Sequence, residues 1–113
     1  MLQIKRVYEK KSSSDGYRIL VDRLWPRGVS KEEAHVSIWL KDVSPTPGLR
    51  KWFGHDPKKF PEFAKRYTAE IKQNANAVNR IKMLEKKYKT VTLLYGAKDQ
   101  IHNNAVVLLS VLT

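Results

Sequence analysis

The sequence predicts an α/β fold: a small, mainly parallel sheet covered by helices. Three observations lead there. The chain has 113 residues, a length that suits one domain, spanning 1–113, and buries a core without a disulfide or metal staple. Thr90-Val-Thr-Leu-Leu-Tyr95 is short, β-rich and apolar, as a central strand covered on both faces needs to be. It follows one helical pattern and precedes another, the order found where crossovers join parallel strands.

Each element has its own warrant. Leu2 and Ile4 alternate with Gln3 and Lys5, so the period of two predicts a first strand over Leu2 to Tyr8. Lys10 to Gly16 is polar and turn-rich. Tyr17 to Val21 is β-rich and predicts a second strand. Pro26 and Gly28 make Asp22 to Gly28 a loop. Ser30-Lys-Glu-Glu33 has the form of a capping box and opens a short helix. Val36, Ile38 and Leu40 alternate with polar Ser37 and with Trp39, which predicts a short extended segment. Ser44-Pro-Thr-Pro-Gly48 turns into a short helix over Leu49 to Phe53, stopped by Gly54.

The next helix starts at Pro57. Phe60, Phe63, Ala64, Tyr67 and Ile71 form one apolar stripe at helical spacing. Gln73 to Asn76 loosens that pattern, and Val78, Ile81, Leu84 and Tyr88 resume it. Phe60, Phe63, Tyr67, Ile71, Ile81 and Leu84 are the predicted core of this region. After the strand at 90–95, Gly96 to Gln100 is a turn. Ala105, Leu108, Leu109 and Leu112 mark a final amphipathic helix.

Composition narrows the chemistry. Cysteine is absent, which excludes disulfides, thiolate metal sites and cysteine nucleophiles. The longest apolar run is Ala105 to Leu109, five residues, against about 20 for a bilayer span. The first residues lack a signal-peptide core, so a cytoplasmic location with no membrane partner is expected. The net charge is +11, and the window Arg50–Lys89 carries 12 Lys/Arg against 4 Asp/Glu. Such a balance suits anionic partners, although lysines on helix faces often serve only solubility.

Three stretches concentrate groups that could carry chemistry. In Asp22-Arg-Leu-Trp-Pro-Arg-Gly28, Arg23 and Arg27 offer guanidinium forks and Trp25 a stacking face. The alternative is that Trp25 fills core and an Asp22–Arg pair pins the loop. In Leu49 to Pro57, Arg50 is an anion contact and His55 a general acid or base. There Asp56 reads equally well as an ordinary helix cap, and Trp52 and Phe53 as core. In Tyr95 to Asn104, Lys98, Asp99, His102 and Asn103 gather after the best strand. Asp99 could cap the last helix, or pair with His102 as base and orienter. Residues 99, 102 and 103 have the spacing of one helix face. A metal at Asp99 and His102 would need a third ligand, with only His55 available. No P-loop, Rossmann glycine fingerprint or Gly-x-Ser-x-Gly elbow occurs, so no cofactor is expected.

The same stretches carry a resemblance. Ile4-Lys-Arg-Val-Tyr8, Asp15-Gly-Tyr-Arg18 leading into Leu20–Gly28, Trp39-Leu-Lys-Asp42, Leu49–Asp56 and Thr92–Tyr95 with Asp99, His102, Asn103 and Ala105 span nearly the whole chain. Together they resemble the YeaO-like family, the bacterial domain of unknown function numbered 488. That family commonly has Pro-Ser before the Leu-Arg-Trp stretch, and Pro45-Thr46 keeps the hydroxyl. The resemblance points to the same loops without implying a reaction.

Two functions remain expected from the residues. In the first, the loops at 22–28, 50–56 and 95–103 meet at the strand ends and bind a phosphate- or carboxylate-bearing small molecule. Arg23, Trp25, Arg27, Arg50, Lys98 and Asn103 would hold it. His55, Asp99 and His102 would move protons. In the second, the basic helical face binds nucleic acid.

Overall fold

The computed structural model describes residues 1–113. Strands β1 (Leu2–Arg6), β2 (Tyr17–Leu20), β3 (Ile38–Trp39) and β4 (Val91–Tyr95) form one sheet in the order β1-β4-β2-β3. Every neighbouring pair is parallel. The helices are α1 (Lys31–Ala34), α2 (Pro47–Phe53), α3 (Phe60–Lys72), α4 (Ala75–Tyr88) and α5 (Asn104–Leu112). The fold is thus α/β, with the strand at 90–95 in the interior of the sheet and parallel to both neighbours.

All five residues of β4 are buried, and their alternation divides the core. Val91, Leu93 and Tyr95 join Ile19 and Val21 under Phe63, Tyr67, Ile71, Ile81 and Leu108 of the long helices. Leu94 points the other way and packs with Leu20, Val7 and Ala34, beneath Trp25 and Trp39. Of the six predicted core residues on α3 and α4, Phe63, Tyr67, Ile71 and Ile81 are buried, and Phe60 and Leu84 pack against the cluster. Tyr67 stands upright in this core because its hydroxyl donates to Val43 O at 2.6 Å. Burial raises its pKa.

On the Leu94 face, the sheet also buries charge. Arg18 is 1% exposed and forms an ion pair with Asp15. Its other donors reach His35 O and Ala34 O at 3.1 and 3.0 Å. Lys5 Nζ joins Asp15 at 3.1 Å, and Thr92 Oγ1 donates to Asp15 O at 2.6 Å. The connection from β1 to β2 places Asp15 here through one short 3-10 turn, Ser13–Asp15, boxed by Ser12.

Some boundaries differ from the sequence expectation. β1 ends at Arg6, although Val7 N still donates to Tyr95 O at 2.8 Å. Tyr8 then leaves the sheet. The segment at 36–40 pairs over only two residues, as an edge needing one neighbour. α2 begins earlier than expected, at Pro47, because Thr46 caps it through Leu49 N. The capping box at Ser30 and Glu33 is formed. The last helix is capped by Asn103, whose Oδ1 accepts from Val106 N at 3.0 Å, and not by Asp99. No helix is long and apolar enough to cross a membrane.

Candidate functional site

In a wholly parallel sheet the carboxyl ends of the strands open on one edge, where ligand clefts form. Here that edge holds a cleft of about 260 Å³. β1 leads to Tyr8, β2 to the loop from Asp22 to Arg27, and β4 to Gly96 and Ala97. The far wall comes from Arg50 and Phe53 of α2, His55 beyond it and Phe63 of α3. Asn103 and Asn104 enter from the start of α5.

The loop after β2 is held from four directions. Trp39 Nε1 donates to Asp22 O at 2.7 Å, and Trp25 Nε1 to Val29 O at 2.7 Å. Tyr8 Oη donates to Arg27 O at 2.9 Å, and Arg23 Nε to Pro45 O at 3.1 Å. The two indoles meet edge to face at 5.4 Å. Pro26, buried, stiffens the turn between them. Trp25 therefore braces the loop as well as lining the cleft.

Asp22 is the carboxylate of the cleft. Its Oδ2 accepts from Gly96 N at 2.8 Å and its Oδ1 from Asn104 Nδ2 at 3.1 Å. Burial raises its pKa above the ordinary aspartate value, and this outweighs the downward pull of those two donors, His55 and Arg50. Against this one carboxylate stand three guanidinium groups, Arg23, Arg27 and Arg50. None of the three forms an ion pair: the carboxylates that do so are Asp15, Glu62, Glu85 and Asp99. Arg27 and Arg50 are exposed, and Arg23 is half-buried.

His55 reaches the cleft through backbone conformation. Gly54 and His55 both have positive φ, 54° and 58°. Two successive left-handed residues turn the chain sharply after α2 and set the imidazole beside Phe53, at 6.1 Å between rings. Asp56 does serve as a cap, accepting from Lys58 N at 3.0 Å.

Of the predicted site residues, Arg23, Trp25, Arg27, Arg50, His55 and Asn103 share the cleft lining. Lys98, Asp99 and His102 lie outside it. Asp99 and His102 do pair, with Nδ1 and Oδ2 2.8 Å apart, but in a loop ahead of α5 rather than on a helix face. The His102 ring rests edge-on against Phe60 at 5.2 Å. The Asp99 carboxylate also accepts from the amides of Ile101 and His102 at 2.9 Å each. Led by the His102 amide, these donors lower its pKa to about 2. The Asn103 side chain is committed to Asp99 O and Val106 N. No three His, Cys, Asp or Glu side chains gather as a metal site.

Sequence reasoning missed Tyr8, Gly96 and Asn104, and read Asp22 only as half of an ion pair with an arginine; that pair is not formed, because the Asp22 oxygens take the Gly96 amide and the Asn104 side chain instead. Asp22 directly follows a predicted strand, which is a usable signal. The Asn103-Asn104 pair ahead of the last apolar run is another: one amide caps the helix, and the next reaches the cleft carboxylate.

A family model described as "Inactive DUF488-N3 subclade" matches residues 1–113. The chain belongs to this family. Its relatives include the Escherichia coli K12 protein described as uncharacterized protein YeaO, 43% identical over 107 residues, covering 95% of this chain and 92% of the relative. Uncharacterized proteins of Mycobacterium bovis and Mycobacterium tuberculosis H37Rv are 38% identical over 111 residues, covering 98% of this chain and 92% of theirs. No solved structure gives a significant match. Family membership extends to the cleft loops, since the match runs through all of them.

Proposed function

We propose that this protein binds a small phosphate- or carboxylate-bearing molecule in the cleft at the strand ends. One observation carries the reading: Arg27 and Arg50 line the cleft and neither is paired with a carboxylate. Like charges on one concavity repel, and an anion that bridges them removes that cost. The braced loop supports it too, because donors held in place lose little entropy on binding.

The cleft lining contains no serine, threonine, cysteine or lysine, so the hydroxyl, thiol and amine nucleophiles of most covalent catalysis are missing, and Tyr8, Asp22 and His55 are the groups left. His55 is its only imidazole. This agrees with the family's description as inactive, and the reading is of binding without covalent turnover, by a cytoplasmic protein.

Titration calorimetry with ethyl phosphate tests it. Saturable binding, of order 1 mM or tighter, should be lost in the Arg27→Ala, Arg50→Ala double variant. Both residues are exposed and unpaired, so the variant should keep its thermal midpoint. If wild type shows no saturable binding, the reading fails. Binding of nucleic acid that falls with salt and persists in the double variant would instead favour the lysine-bearing helical face.

A further inference from the structure

We infer that the cleft selects a phosphorylated polyol, with the anion on the arginines and hydroxyl groups on Asp22 and Asn104. This rests on the anion reading above and adds what the rest of the ligand must be.

A carboxylate in an anion cleft weakens anion binding unless it serves another purpose. Asp22 makes no direct ion pair with an arginine, although it lies within the electrostatic reach of Arg50. It is also not saturated. Each of its oxygens accepts one hydrogen bond, from Gly96 N and from Asn104 Nδ2, and a carboxylate oxygen has room for two. These two donors, with Trp39 holding the backbone carbonyl, fix the direction of the lone pairs that remain.

Asn104 adds a second acceptor. Its Nδ2 is spent on Val21 O at 3.2 Å and on Asp22, so its carbonyl Oδ1 is the atom left over. The cleft thus offers acceptors at the junction of β2, β4 and α5 and donors from α2 and the loop at 27. Desolvation at Asp22, visible in its raised pKa, makes an unmet acceptor there costly and a met one valuable.

Hydroxyl groups satisfy this set best. An ammonium would also donate to Asp22, but it would sit among Arg23, Arg27 and Arg50, which repel it. A hydroxyl donates without charge. Size limits the ligand further. About 260 Å³ lies below the roughly 300–1,000 Å³ of clefts for drug-sized ligands, which suits a sugar phosphate better than a dinucleotide. Phe53 and Phe63 supply apolar wall for its carbon–hydrogen face.

The experiment compares ribose 5-phosphate with ethyl phosphate, which has the anion and no hydroxyl. In wild type, ribose 5-phosphate should bind about tenfold tighter or more, because a site with fixed polar groups discriminates against a ligand that leaves them unmet. In Asp22→Asn, checked for folding by circular dichroism, that preference should fall to about one. Ethyl phosphate should gain affinity there as the repulsion goes. Equal wild-type affinities overturn this inference and leave the anion reading standing. No binding of either ligand overturns both. If Asp22→Asn folds and keeps the full preference, Asp22 is not the hydroxyl acceptor and the inference fails. If it does not fold, the wild-type comparison decides alone.

Discussion

Asp22 Oδ2 accepts the backbone amide of Gly96 at 2.8 Å, clamping the loop after β2 to the first residue beyond β4. The approach is close: a Cβ at position 96 would stand 3.2 Å from that oxygen. The width of residue 96 therefore sets where the cleft carboxylate can sit.

Gly96→Ala should push that carboxylate aside while preserving the fold, since Gly96 is not among the residues of positive φ. A stability loss of about 1 kcal/mol is expected from the weakened hydrogen bond, together with loss of preference for ribose 5-phosphate. Unfolding in urea and titration calorimetry check the two parts. A variant that keeps wild-type selectivity would show that the clamp does not matter to the cleft.

Gly16→Ala should be far more damaging. Gly16 has φ +64°, and a Cβ there would lie 2.3 Å from Thr90 O, the carbonyl that accepts Tyr17 N at 2.9 Å. Left-handed strain and a backbone clash act together at the mouth of β2, so a loss above about 3 kcal/mol is expected. A denaturation midpoint close to wild type would refute this.

Arg18→Met and Arg66→Ala should differ sharply although each breaks one ion pair. Arg18 is buried, and its loss leaves Asp15 with Lys5 as its one cationic partner and strips donors from two carbonyls. About 3–5 kcal/mol is expected. Arg66 pairs with Glu62 in the open at 2.9 Å, where such pairs contribute about 0–1 kcal/mol. Parallel thermal melts of the two variants settle the comparison.

Asp99 should make stability fall in acid. Its folded pKa is about 2, below the ordinary 3.8. A depressed carboxylate contributes stability that is complete above pH 3.8 and is lost as pH falls toward 2. Asp99→Asn should therefore flatten the acid limb of a stability–pH curve across that window. An unchanged slope between pH 4 and 2 would rule out this origin.

The parts of the fold legible in the sequence are those set by periodic burial. The stripe from Phe60 to Ile71 has one buried face, and β4 is apolar because both faces are covered. Arg18 hid in a β-rich run: its partner Asp15 lies only three residues back, but the burial of the pair and the carbonyls of Ala34 and His35 that complete it come from packing, which composition does not register. The cleft was half legible. Arg23, Arg27, Arg50 and His55 follow extended or helical segments that end on one edge. Asp99 and His102 follow the same rule, yet Asp99 spends its oxygens on local amides, and the pair closes on itself outside the cleft. Short-range hydrogen bonding there overrode the strand-end placement.

β4 is the last strand to be synthesised, yet it is the partner on which β1 depends and it also separates β1 from β2. A ribosome working from the amino terminus therefore releases β1 about 85 residues before its neighbour exists. Through most of translation that strand edge has nothing in its own chain to pair with, a condition that invites association between nascent chains. A chain arrested before Val91 should stay sensitive to protease, and resistance should appear only once Tyr95 has cleared the exit tunnel.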